Sequence, residues 1–253
     1  MRIKAFASRN IKELIRDPLS YIFCLGFPLI MLLVMSVIGQ SIPENEGTAI
    51  FNVQNQSAGT AVFGLAFVML FAALLISKDR ASALLCRLFA SPMRSVDFIL
   101  GYTLPLIIIA AAQLAVNVIS SVIIGAAVGE SFNFLNLLMS LAVHIPTIFL
   151  FIGLGIIFGT LFNEKSSPGI SSIIVSLAPM LGGVWMPIDA MGGVILTIAK
   201  IFPFYHAVKA SRTVLAGSSE GVAASILILC AWAAVIFILS IFVFKAKMRS
   251  EKK

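Results

Sequence analysis

Charge is what this sequence has least of. Only 11% of its residues are Asp, Glu, Lys or Arg, against roughly 25% in an ordinary globular domain. Six long stretches contain none of these four: Pro18 to Pro43, Gly47 to Ser77, Phe98 to Gly129, Ser131 to Asn163, Ser166 to Ile188 and Gly221 to Phe244. Cysteine is scarce as well. Cys24, Cys86 and Cys230 have neither the spacing of a disulfide framework nor that of a metal site, and read as small buried hydrophobes. The chain has no GxxxxGK[ST] loop, no HExxH, no GxSxG and no aspartate pair within an apolar run. These absences exclude a nucleotide motor carried on this polypeptide and argue against a membrane protease. A cleavable signal is not expected either. The first apolar run is too long for a signal core and lacks an A-x-A exit, so it reads as a retained span.

What is present is apolar. Hydrophobic residues make up 60% of the chain and the mean hydropathy is +1.06. A soluble fold of 253 residues could not hide that much apolar surface from water, whereas a bilayer removes the problem. A spanning helix needs about 20 mostly apolar residues. Trimming polar ends from the six stretches predicts spans near 19–39, 58–77, 99–125, 135–161, 168–186 and 222–244. The third and fourth exceed one bilayer thickness and are expected to tilt, kink at Pro105 or Pro146, or project. The expected architecture is therefore an all-α integral membrane protein, residues 1–253 forming one six-helix transmembrane domain.

The basic residues orient it. With both termini on the cytoplasmic side, that side holds Arg2, Lys4, Arg9, Lys12 and Arg16, then Lys78, Arg80, Arg87 and Arg94, Lys165, and finally Lys245, Lys247, Arg249, Lys252 and Lys253. Only Lys200, Lys209 and Arg212 fall outside. The positive-inside rule accounts for this asymmetry and requires an even number of spans. It also explains the net charge of +7 without nucleic acid. The expected location is the cytoplasmic membrane.

Three segments between spans carry information. In 1–17, Ile3, Phe6, Ala7, Ile11, Leu14 and Ile15 share one helical face and most charges lie opposite. That pattern is an interfacial amphipathic helix, either a simple anchor or a contact for a cytoplasmic partner. In the loop 78–97, Asp79, Ala83, Leu84, Arg87, Leu88 and Phe89 precede Pro92. The segment is too polar to span and too apolar for a free connector, so it packs on its own bundle or docks a soluble partner. In 187–216, Gly192, Gly193 and Pro203 interrupt apolar runs that also carry charge, which predicts a re-entrant or interfacial pair of short helices rather than a seventh span. Trp185, Pro187, Pro203 and Tyr205 are its candidate gate residues. Within the spans the polar fixtures are Gln113 and Asn117, four apart on one face, and His144. They are read as interhelical hydrogen bonds or as the lining of a substrate path.

In order along the chain, three motifs resemble those of ABC-2 type transporter permeases. Arg16-Asp17-Pro18 with Pro28 resembles that family's first span. Arg87-Leu-Phe-Ala-Ser-Pro92 followed by Asp97-Phe-Ile-Leu-Gly-Tyr102 resembles its first cytoplasmic loop and the start of span 3. Gly183-Val-Trp-Met-Pro187, then Phe202-Pro-Phe-Tyr205 and Arg212, resembles its outer hairpin. The resemblance implies that Asp79 to Pro92 is a coupling helix seated in a separate ATPase subunit. That subunit would hold ATP and magnesium, leaving this chain without a cofactor, a metal or a catalytic residue. It also implies a second permease half, identical or related. The family's E-x-x-x-G spacing is replaced here by Asp79 and Ala83, with Cys86 at the later acidic position, so the docking surface is less acidic than usual.

The resulting expectation is an exporter permease for a hydrophobic or amphipathic cargo, such as a drug or a lipid-like molecule. The short external loops and the nearly apolar spans favour that cargo. A passive channel or ion-coupled carrier built on His144, Gln113 and Asn117, and a membrane scaffold that transports nothing, are the alternatives.

Overall fold

A computed structural model describes residues 2–18, 22–42, 48–82 and 95–250. Every regular element among them is helical. In chain order these are α1 (Arg2–Ile15), α2 (Ile22–Ser41), α3 (Val53–Ala81), α4 (Ser95–Val128), α5 (Phe134–Leu161), α6 (Ser167–Leu181), α7 (Ile188–Met191), α8 (Gly193–Ile201), α9 (Pro203–Leu215) and α10 (Val222–Ser250).

Five of these helices, α2, α3, α4, α5 and α10, are long and apolar enough to cross a membrane. They coincide with five of the six expected spans. The remaining span, 168–186, is represented by α6, which has only 15 residues. At 1.5 Å per residue it is about 22 Å long, shorter than a hydrocarbon core of about 30 Å. α8 and α9 pass the hydropathy test as a pair but bend by 94° at the break between them. That break follows from Pro203, which opens α9 and holds the preceding Phe202 extended, at φ −87° and ψ 144°. Gly192 and Gly193, at φ 62° and 60°, separate α7 from α8 in a conformation that other residues rarely adopt. The glycines and proline that argued against a continuous span are thus the residues that make the turns. α2 opens with one wide π-turn, Ile22–Gly26. It leads into Pro28, which has no N–H for the carbonyl of Cys24 and crowds it.

α3 is the axis of the bundle. In its most apolar stretch 89% of residues are buried inside the protein, against 17% for α10 and 22% for α2. The outer helices turn Val37, Ile123, Leu227, Val235 and Phe242 outward, each at least 59% exposed. In water such faces would be untenable, and in lipid they are the expected surface. α3 approaches α5 so closely because of Gly155 and Gly159, a small-x-x-x-small pair. A Cβ on Gly155 would lie 2.7 Å from the Met69 carbonyl oxygen, and one on Gly159 would lie 2.7 Å from that of Ala73. Lipid tails are as apolar as leucine, so helix association in a bilayer rests on such close packing and on interhelical hydrogen bonds.

Short-range contacts fix which helix ends lie together. At one end Glu130 receives the free N–H groups opening α3, from Val53 at 2.9 Å and Gln54 at 3.1 Å. Arg212 Nε donates to the Asn55 carbonyl at 3.1 Å, and Gln56 Nε2 to that of Val184 at 3.3 Å. At the other end Arg80 donates to the carbonyls of Gly159, Thr160 and Phe162. These are the unpaired groups at the C-terminus of α5, where a cation also complements the helix dipole. The second end carries most of the basic residues and is called the basic end below. The hairpin α7–α9 lies at the opposite end.

Candidate functional site

The basic end is organised around one buried carboxylate. Asp79, on the last turn of α3, is 1% exposed. Arg9 of α1 meets it in a fork, Nη1 on Oδ2 at 2.6 Å and Nη2 on Oδ1 at 2.7 Å. Tyr102 of α4 donates its hydroxyl to Oδ2 at 2.8 Å. Three helices separated by up to 93 positions therefore converge on two oxygens. Arg9 also pairs with Glu13 at 2.5 Å, and Lys78 reaches the same Glu13 at 3.3 Å. Burial would lower the Arg9 pKa, but the hydrogen bond and charge of Asp79, with help from Glu13, raise it on balance and secure the cation. Bidentate guanidinium–carboxylate geometry of this kind is both strong and directional.

Packing reinforces the clamp. Phe6 lies edge-on to Tyr102 and Phe98, with ring centroids 5.0 and 5.7 Å away. It occupies the space above Gly101, where a Cβ would stand 2.2 Å from its ring. Asn10 is fully buried and donates to the Gly101 carbonyl at 3.0 Å. The buried face of α1 is therefore Phe6, Ala7, Asn10 and Leu14. Ile15, expected on that face, is instead 61% exposed.

Asp79, expected as a partner contact, is buried within this chain. Its oxygens are turned inward and occupied, so its work in this chain is to fasten α1 and α4 to the end of α3. The other expected docking residues, Ala83, Leu84, Arg87, Leu88, Phe89 and Pro92, lie outside the described residues. The clamp nevertheless stands at both edges of that segment, on Asp79 just before it and on Tyr102 just after it.

Gln113 and Asn117 meet α3, not one another's ligand. Asn117 accepts from Thr60 Oγ1 at 2.8 Å and donates to the Ser57 carbonyl at 3.0 Å, and Ser121 bonds Ser57 hydroxyl to hydroxyl at 2.8 Å. Gln113, 1% exposed, presses its amide against Gly64, and neither of its amide atoms has a hydrogen-bond partner among the described residues. His144 sits on α5, 2% exposed, one turn from Ser140, which bonds Ser211 of α9 at 2.7 Å. Among the described residues its Nδ1 has no partner, and no hydrogen bond links it to Gln113 or Asn117. The three do not form one cluster.

At the opposite end Tyr205 is buried and its hydroxyl donates to Asp189 Oδ1 at 2.5 Å, tying α9 to α7. Lys209 lies over the same ring at 5.4 Å. Trp185 packs edge-on against Phe63 of α3, 5.4 Å between centroids. Pro203 is buried at the first turn of α9, while Pro187 is exposed. The hairpin is thus seated on α3 by Trp185, Gln56 and Arg212.

The residues missed by sequence reading are Arg9, Asn10, Tyr102, Arg80 and the Gly155–Gly159 pair. Only the glycine spacing carried a local signal. The others depend on partners distant in sequence.

Comparison with known proteins adds a second line. The family model described as "ABC-2 type transporter" matches residues 1–216. The Bacillus subtilis (strain 168) protein named "Putative transport permease YvfS" is 29% identical over 93 residues, 37% of this chain. The chain spans 38% of that relative's length. The family match runs from α1 through the hairpin and ends before α10.

Proposed function

The chain belongs to the ABC-2 type transporter family, and from that membership we propose that it is the membrane-spanning permease subunit of an ABC exporter. ATP would be bound with magnesium and hydrolysed on a separate cytoplasmic ATPase subunit. The basic end then faces the cytoplasm, in the cytoplasmic membrane, with both chain termini inside. A second permease half, a copy or a relative, completes the translocation path. The cargo is hydrophobic or amphipathic, a drug or a lipid-like molecule.

The observation that carries this reading is the clamp at Asp79. A force on the loop between α3 and α4 arrives at Asp79 and Tyr102 together, and Arg9 passes it to α1. A loop that only joined two helices would need no such bracing. The six charge-free cores of the sequence also offer no carboxylate or lysine to couple an ion gradient, which supports energy entering from outside the bilayer. The inner polar seam supports a structural role for Asn117, whose hydrogen-bonding groups are engaged by α3.

The test is association and coupling. The double variant Leu88→Asp, Arg87→Glu should lose co-purification with the ATPase and nucleotide-dependent transport in proteoliposomes. Unchanged association and transport would remove the coupling assignment. The unpaired amide of Gln113 and ring nitrogen of His144 favour a second reading, a channel or ion-coupled carrier. Transport that persists in liposomes without ATPase or nucleotide would establish it in place of the first.

A further inference from the structure

Between α1 and the last turns of α3 lies an open cleft of about 790 Å³, within the range of small-molecule sites. Its walls differ sharply. Leu14 of α1 with Phe71, Leu74 and Leu75 of α3 supply its apolar lining, and Lys12, Arg16 and Lys78 are among its charged lining residues. Along α3, Phe71 to Lys78 spans about 10 Å at 1.5 Å per residue. The cleft therefore runs from a charged edge into the apolar zone over about the depth of a headgroup and the start of an acyl chain.

The charges lining it are unevenly satisfied. Arg9 is held by Asp79 and Glu13, and Lys78 by Glu13. Lys12 and Arg16 have no ion pair among the described residues. They stand four positions apart, Lys12 in the last turn of α1 and Arg16 one residue beyond its end, a spacing at which like charges repel. Position near the C-terminus of α1 offsets part of that repulsion, but only an anion between them turns it into attraction. Three carboxylates, Glu13, Asp17 and Glu164, also line the cleft, against the four cations Arg9, Lys12, Arg16 and Lys78.

We propose that this cleft is a seat for one membrane glycerophospholipid, its phosphodiester between Lys12 and Arg16 and an acyl chain along Leu14, Phe71 and Leu74. The apolar lining selects against a free phosphate, and the paired cations select against an uncharged diacylglycerol. The bound lipid would brace the open side of α1, opposite the side that Phe6 and Asn10 press onto α4. The inference rests on the membrane location of the bundle and is independent of ATP coupling.

Native mass spectrometry of the full chain in detergent, after delipidation, tests it. Phosphatidylglycerol, a diacylglycerol of the same chains and inorganic phosphate serve as three separate probes. Wild type should retain one phosphatidylglycerol and neither of the others. Lys12→Ala with Arg16→Ala should weaken retention about tenfold or more, since each charge-assisted contact is worth about that much. Lys165→Ala with Lys245→Ala, an equal loss of charge elsewhere, should leave it unchanged. Ser8 is exposed and lines the cleft, so Ser8→Trp should displace the lipid by filling its place without disturbing the core. Equal retention by wild type and the Lys12/Arg16 variant, equal retention of diacylglycerol, or lipid held unchanged by Ser8→Trp would each overturn the proposal. So would a disulfide-linked dimer formed through Ser8→Cys in the lipid-replete protein, which would show a second copy covering the cleft.

Discussion

Arg9→Ala should be costly although the arginine itself is only partly buried. The substitution removes both charge-assisted hydrogen bonds to Asp79, at 2.6 and 2.7 Å. It leaves a carboxylate that is 1% exposed with, among the described residues, only the Tyr102 hydroxyl as a side-chain donor. Breaking a buried ion pair from one side costs about 3–5 kcal/mol. The Arg9 side chain is 37% exposed, so water would enter where it stood and the expected loss is about 2–3 kcal/mol. Asp79→Leu should cost somewhat less, because Arg9 keeps Glu13 at 2.5 Å and part of its solvent contact, while the buried Tyr102 hydroxyl loses its acceptor. The pair Arg9→Ala, Asp79→Leu removes both charges and should recover about 1.5 kcal/mol or more relative to the sum of the singles. Unfolding in a mixed-micelle titration, followed by the fluorescence of Trp185 and Trp232, gives all four corners of the cycle. If Arg9→Ala costs less than about 0.5 kcal/mol, or if the double variant equals the sum, the pair is a surface contact. The bracing argument for the loop would then fail as well.

Three further outcomes are expected. Gly159→Leu should destabilise the bundle by about 2–3 kcal/mol in the same titration, because the nearest atoms include the backbone oxygen of Ala73, which cannot step aside. Glu130→Ala should cost about 1–2 kcal/mol by leaving the Val53 and Gln54 N–H groups without their acceptor. In intact cells of a variant lacking native cysteines, a membrane-impermeant maleimide should label Ser218→Cys and should not label Lys165→Cys. The reverse pattern would invert the proposed topology.

How much of this was legible in the sequence depends on how local each cause is. Charge-free runs identify α2, α3, α4, α5 and α10 because a spanning helix is defined by its own composition. Gly192, Gly193 and Pro203 disclose the hairpin because each acts on its own backbone. α6 came out shorter than its run, since Gly182 and the positive-φ Gly183 end the helix while the sequence remains apolar. The interior face of α1 was misjudged by one residue pair. Hydropathy favoured Ile15, whereas Asn10 is buried because Gly101, 91 positions away, offers it a carbonyl. The burial of Asp79 was hidden for the same reason. Beside Lys78 and Arg80 it looks like a loop residue, and nothing nearby announces that an arginine 70 positions earlier will enclose it. The four-residue spacing of Gln113 and Asn117 was legible as a shared face, and hydrogen bonding across that face is what Asn117 does.

The burial of α3 has a consequence for how the protein is made. α3 emerges from the ribosome before α4, α5 and α6, the helices that enclose it. Until they arrive, Ser57 and Thr60 face lipid without Asn117 and Ser121. Gly155 and Gly159 have not yet supplied the groove into which α3 fits, and Asp79 has only Arg9 to neutralise it. The central helix is thus the one least suited to the bilayer on its own. Its insertion is completed by later segments, so a lesion in α4 or α5 is expected to be felt first as misassembly around α3.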